Sequence, residues 1–158
     1  MKIIVIGMSL SGKTTIVKHL RSATKVPVLE IDEELTRLNN GIYPADNIYK
    51  IEKLAPRVMS SILKRNNIIF FTNTNYFSIS DLEKAHKNGF TIIQLDLSVS
   101  EATKRNQNRV KKEGYSDLSK WFGGMQEYQE QIKIAGVVDK VIDATISVEE
   151  IAEQILVL

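Results

Sequence analysis

The chain has no cysteine, so disulfides, thiolate metal sites and thiol nucleophiles are all excluded, as suits a reducing compartment. Any catalysis has to use oxygen and nitrogen groups. An excess of charge is missing as well: 21 basic against 19 acidic residues leave +2, too little either to name or to exclude a nucleic-acid partner. There is no long apolar run, and the only apolar start, Ile3 to Ile6, is far shorter than a membrane span or the core of a signal peptide. A cytoplasmic protein with no membrane contact is expected. The two histidines, His19 and His86, have no second His at metal-ligand spacing and are expected at the surface or its boundary. Repeats, low-complexity tracts and linkers are absent, and so is the Asn-Lys-x-Asp run that reads guanine in GTP-binding proteins. What remains is 158 residues, 43% hydrophobic and 25% charged, enough for a single domain over 1–158 with a full core.

Against this background one run stands out: Gly7-Met8-Ser9-Leu10-Ser11-Gly12-Lys13-Thr14, a complete G-x-x-x-x-G-K-[ST] pattern. Its glycines let the backbone curl with N–H groups turned inward around phosphates, Lys13 reaches the β/γ oxygens, and Thr14 offers a hydroxyl to Mg²⁺. The flanks fit the same purpose. Lys2-Ile3-Ile4-Val5-Ile6 reads as a buried parallel strand, and Ile16, Val17 and Leu20 give the following segment one apolar helical stripe, whose positive end adds to the anion site. The expected nucleotide-binding set is Gly7, Ser9, Ser11, Gly12, Lys13, Thr14 and Thr15, with ATP and Mg²⁺ as cofactors.

Five runs rich in β-branched or aromatic residues, Ile3–Ile6, Val28–Ile31, Ile68–Thr72, Thr91–Leu97 and Lys140–Asp143, alternate with helical patterns. That alternation predicts an α/β fold, a parallel sheet with helices on both faces. Ile51, Leu54, Ala55, Val58, Met59, Ile62 and Leu63 follow i, i+3, i+4 spacing and predict a helix on the sheet, either kinked at Pro56 or starting there. Capping boxes are expected at Ser80–Glu83, Ser98–Glu101 and Ser147–Glu150, with Asn88-Gly89 ending the first helix. Leu118, Trp121, Phe122, Met125, Tyr128 and Ile132 form a further apolar stripe, which places Trp121 in the core; Gly123-Gly124 weakens that helix by about 1 kcal/mol per glycine, enough to suggest a bend. Lys111 to Tyr115 is the one polar stretch that reads as a mobile lid.

Strand two runs into Glu30-Ile31-Asp32-Glu33-Glu34, and the carboxyl ends of strands line the ligand crevice in open α/β sheets. Two roles are open to Asp32: taking the proton of an attacking hydroxyl, or capping the helix that follows. Glu34 is the expected partner of a Mg²⁺ water or, equally, a first-turn acid. Arg105 and Arg109 share a helix face and either close over the triphosphate or form part of a solvated basic face with Lys104, Lys111 and Lys112. Asn73 and Asn75, in the polar loop after strand three, are candidates for holding the acceptor or are turn formers. Arg37 is the nearby cation expected on the acceptor side.

The P-loop, Asp32 and the Arg105/Arg109 pair before a short polar stretch resemble the P-loop kinases of small acceptors, the group holding nucleoside monophosphate, shikimate and gluconate kinases. In detail the pattern is also similar to the kinase domain of phage-type polynucleotide 5′-hydroxyl kinases and zeta-toxin-like kinases, through Lys104-Arg105-Asn106-x-x-Arg109, Asp117-Leu118, Met125-x-Glu127-Tyr128 and Thr74-Asn75. The resemblance implies a three-layer P-loop NTPase fold with sheet order 2-3-1-4-5 and a short lid, Asp32 as general base and Arg109 on the donor phosphates. It implies phosphoryl transfer from ATP to a hydroxyl on a small molecule or a nucleic acid, with no obligate protein partner. The chain departs from the polynucleotide kinases at Asn73, where they carry aspartate, and at Leu35, where they carry an arginine.

Overall fold

The computed structural model describes residues 1–158. Its strands are β1 (Lys2–Gly7), β2 (Val28–Glu30), β3 (Ile68–Asn73), β4 (Thr91–Asp96) and β5 (Lys140–Asp143), all parallel in the order β2-β3-β1-β4-β5. Alternation along β1 explains the layers. Ile3 and Val5 point to one face, into a core completed by α1 (Lys13–Ala23), α6 (Val99–Glu113) and α8 (Val148–Leu156). Ile4 and Ile6 point to the other, against α2 (Ile31–Leu38), α4 (Ala55–Leu63), α5 (Ile79–Lys87) and α7 (Phe122–Ile134). Each fully buried Ile, Leu or Phe of these layers contributes ~1.5–3 kcal/mol by leaving water. No helix is long and apolar enough to cross a membrane.

The parallel register sets Gly7 beside Asn73 and Leu95, so the loops after β1, β2 and β3 emerge at one edge of the sheet. β2 stops one residue earlier than the periodicity suggests, because Ile31 already opens α2. That single residue carries Asp32 off the sheet end and into the first turn of a helix.

The segment from Asn47 to Leu63 resolves the question at Pro56. A turn of helix, α3 (Asn47–Tyr49), capped by Asp46, leads into a π-helical segment (Lys50–Leu54) and then into α4, with Pro56 in its first turn. Pro56 has no N–H for the carbonyl four residues back, and a widened i→i+5 turn is a way to carry a helix past such a gap. The extra residue rotates everything upstream by one position. Leu54, Ala55, Val58, Met59 and Ile62 stay in the core, but Ile51 turns out to 41% exposure and Lys50 takes the inward place at 8%.

Other expectations need correction. The first capping box is Ser78 with Asp81, not Ser80 with Glu83; Ser147 with Glu150 is a full box, while Ser98 receives the Glu101 amide but the Glu101 carboxylate turns to Arg105 instead. Gly123 and Gly124 lie inside the first turn of α7 without a break, directly after a 3-10 turn (Ser119–Trp121). Trp121 is 51% exposed, with the Lys120 ammonium over its ring, so it is no core residue. Lys111 to Glu113 are helical, since α6 runs on until Gly114 ends it in the left-handed conformation.

Candidate active site

The crevice at the carboxyl edge of the sheet is a cleft of about 670 Å³ lined by the P-loop, the end of β2, Asp32, Asn73 and the α6 residues Arg105, Asn108 and Arg109. One wall is backbone. Gly12 has φ +84° and Leu10, which has a Cβ to accommodate, has φ +71°, a conformation costing ~1–2 kcal/mol outside glycine. A Cβ at Gly7 would sit 2.5 Å from Ser11 Oγ, so the loop closes on itself only because that residue is glycine. The amides of Leu10, Gly12, Lys13 and Thr14 donate to no acceptor within the chain, and Ser11 Oγ is buried without a partner. A curl of free N–H donors of this kind fits a polyphosphate.

Lys13 is buried and donates to the carbonyls of Gly7 and Met8, both at 2.8 Å. An ammonium has a third donor to give. Burial pushes its pKa down to about 8, against the opposing pull of Glu30 and Asp32. Thr14 Oγ1 donates to Glu30 Oε1 at 2.9 Å. A hydroxyl beside a carboxylate at the phosphate loop suits Mg²⁺, which binds through one or two carboxylates plus phosphate oxygens and water. No cluster of three or more His, Cys, Asp or Glu side chains occurs, so a resident all-protein metal cage is not what this chain builds.

Glu34 lies elsewhere. It is buried, does not line the cleft, and accepts two hydrogen bonds from Arg37, at 2.7 and 3.2 Å. The carboxylate that meets Thr14 is Glu30, which sequence reasoning passed over although it is the last residue of β2. Arg37 is held by the same pair and stays outside the cleft. Asn75 is also outside, exposed in a left-handed turn conformation and within 3.4 Å of Thr74 Oγ1.

Asp32 does not cap α2. The N-cap is Glu30, and Asp32 stands one residue into the helix. Its Oδ1 accepts from Asn73 Nδ2 and Tyr43 Oη, each at 3.5 Å. These are long contacts, of the sort that tighten when a ligand completes a site. Tyr43 accepts in turn from Lys50 Nζ at 3.1 Å. The Tyr76 hydroxyl adjoins Tyr43 and Asn73; burial, then the neighbouring Tyr43, raises its pKa above the usual phenol range and keeps it neutral.

The two arginines of α6 separate in role. Arg105 is fastened to the scaffold: Nη1 donates to the Leu10 carbonyl at 2.9 Å, Nη2 to the Ala144 carbonyl at 3.1 Å, and Nε to Glu101 at 3.3 Å. It braces the strained residue of the P-loop against the segment after β5. Arg109 lies flat on the Tyr115 ring, 4.0 Å from its centroid, with only a 4.0 Å approach to Glu113. That leaves its charge for the cleft. Asn106, buried one residue after Arg105, explains the Asp117-Leu118 pair: its Nδ2 donates to Asp117 at 2.7 Å and its Oδ1 accepts from the Leu118 amide at 3.0 Å, tying residues 114–118 down beside Arg109.

No protein-family model and no curated protein matches the chain. Solved structures do. A shikimate kinase from Aquifex aeolicus superposes with a TM-score of 0.72 at 20% identity, over 99% of this chain and 95% of that one. The shikimate kinase of Acinetobacter baumannii, solved in complex with shikimate, gives 0.73 at 17% identity, over 98% and 89%. A gluconokinase from Sinorhizobium meliloti gives 0.58 at 17% identity, over 99% and 89%. These likenesses agree with the small-acceptor half of the resemblance and add nothing to the polynucleotide-kinase half. The chain has the three-layer P-loop fold of the shikimate kinases.

Proposed function

We propose that the chain is an ATP-dependent kinase that moves the γ-phosphoryl group to a hydroxyl of a small molecule, with Asp32 as general base. The observation carrying this reading is that Asp32, released from a capping role, shares one cleft with Lys13, Thr14 and Arg109. The small-molecule kinases among the structural neighbours support the same reading.

The P-loop amides and the third donor of Lys13 hold the phosphates. Thr14 and Glu30 are the groups to hold Mg²⁺, which when bound neutralises charge on the β and γ oxygens. Asp32 takes the acceptor's hydroxyl proton on Oδ2 as the oxygen bonds to the γ-phosphorus and the bond to the β–γ bridging oxygen breaks, releasing ADP. Arg109 stabilises the charge on the group in flight. Positioning and electrostatics carry most of such a reaction.

A nucleoside monophosphate acceptor fits less well. Its phosphate needs no general base, and it would meet the carboxylates of Asp32 and Glu30 while Arg37 is committed to Glu34. A nucleic-acid 5′-hydroxyl is the remaining alternative and is tested alongside. A panel of hydroxy acids, polyols, nucleosides, nucleotides and 5′-hydroxyl oligonucleotides is incubated with γ-labelled ATP. Label moves to a small hydroxyl compound; labelling of oligonucleotides alone, steeply weakened by salt, transfers the assignment to nucleic acid. Asp32→Asn keeps ATP affinity within a few-fold and lowers transfer by roughly 10²-fold or more. Equal losses in binding and turnover overturn the base assignment.

A further inference from the structure

The acceptor side of the cleft contains a cation that the reaction as written does not use. Lys50 is 8% exposed and forms no ion pair with any carboxylate. Its ammonium touches one residue, Tyr43, whose hydroxyl is 3.1 Å away and whose ring centroid is 4.9 Å away. Burying a lysine without a counter-ion is costly, and the chain does it through the π segment that turns Ile51 outward to make room. Such segments, rare in helices, concentrate at functional sites.

The hydrogen bonds give this placement a direction. A lysine only donates, so the Tyr43 oxygen must accept from it and its own hydrogen is free for another acceptor. Asp32 Oδ1 is there at 3.5 Å, and Asn73 Nδ2 approaches the same oxygen from the β3 side at 3.5 Å. Both donors converge on Oδ1, so Oδ2 is the oxygen left to face an acceptor.

We propose that Lys50 is a positioning residue for phosphoryl transfer, acting through Tyr43 to fix which oxygen of Asp32 is presented to the acceptor hydroxyl. The inference rests on Asp32 being the base. A carboxylate that rotates freely spends less time aligned for proton transfer, and misplacement by about 1 Å can cost ~10²-fold in rate; the loss of one link in a hydrogen-bonded chain is a milder version of that.

The test compares the full-length wild type with Lys50→Met, Lys50→Arg, Tyr43→Phe and the Lys50→Met/Tyr43→Phe double variant. Phosphoryl transfer from MgATP is followed to the hydroxyl compound labelled in the panel and to water. Each of Lys50→Met and Tyr43→Phe lowers kcat by ~10-fold with ATP affinity within two-fold, the double variant is no slower than the slower single, and Lys50→Arg recovers most of the rate. Tyr43 is half exposed, so its Phe variant keeps the fold and decides the matter even if Lys50→Met melts early. A rise in acceptor KM at unchanged kcat overturns the proposal in favour of direct acceptor binding. So do multiplicative losses in the double variant, an arginine no better than methionine, or a Tyr43→Phe enzyme with wild-type kcat. Full activity of Asp32→Asn instead brings down the underlying base assignment, and that result is read independently of the others.

Discussion

On the donor wall the groups that face phosphate come from one continuous stretch, Gly7 to Thr14, and most of them are backbone amides; on the acceptor wall they are side chains gathered from α2, the π segment and the residues around the end of β3. A backbone site is set by conformation, so it tolerates changes that keep φ and ψ and fails when a Cβ is added at Gly7. A side-chain site depends on helix phase and loop length. The first kind of wall can serve many acceptors unchanged, while the second is where one acceptor is chosen over another.

The largest expected effect falls on the one side chain the donor wall cannot do without. Lys13→Met lowers transfer by ~10³-fold or more, the loss expected for a preorganised charge on the reacting phosphates. Lys13 is outside both apolar clusters, so the melting temperature should stay within ~4 °C of wild type, about 1 kcal/mol for a chain of this size. Phosphate release and a thermal melt check both halves. Near-normal turnover in that variant would erase the contrast between the walls.

A sharper cut separates the two arginines, which stand four residues apart but do different work in the structure. Arg105→Met removes the brace between the Leu10 and Ala144 carbonyls, and a P-loop freed from its strained conformation should bind ATP ~10-fold more weakly, or 1.4 kcal/mol, with kcat changed less. Arg109→Met does the reverse, lowering kcat by ~10²-fold or more with ATP affinity within a few-fold. Titration calorimetry and steady-state kinetics on the pair distinguish the cases. Identical profiles would mean that both guanidinium groups act on the phosphates.

How much of this was legible follows from the same contrast. The P-loop, the five strands and Asp32 at the crevice were readable because each depends on neighbours in sequence. Glu30 was passed over in favour of Glu34 because the choice turned on where β2 gives way to α2, and a one-residue difference there exchanged which acid meets Thr14. Lys50 was invisible to periodicity: the pattern through Ile51 assumes 3.6 residues per turn, and the π segment breaks that count. Pro56 was the available signal, since a proline inside an apolar stripe announces a local change of helical pitch. Arg105 read as a phosphate ligand because its spacing from Arg109 is local, whereas its partners at Leu10 and Ala144 are distant in the chain.

The smallest effect concerns the cost of keeping Lys13 charged in a buried place. Its pKa in the free fold is pushed down to about 8, chiefly by burial, whereas the unfolded chain holds the proton up to the ordinary lysine value. The unfolded state therefore binds more protons between those limits, and the stability of the free protein rises as pH climbs from about 8 toward 10.5. ATP binding must run the opposite way, because the phosphates need the ammonium and the free protein surrenders it above pH 8. Thermal melts of wild type and Lys13→Met from pH 7 to 10 isolate the group: wild type should gain a few degrees on the variant across that range. ATP affinity of the wild type should meanwhile fall by up to tenfold per pH unit above 8, with proton uptake visible as a buffer-dependent heat of binding. Parallel melting curves, or an affinity flat to pH 10, would show that this ammonium keeps its proton when the cleft is bare, and the donor wall would then owe less to burial than its geometry says.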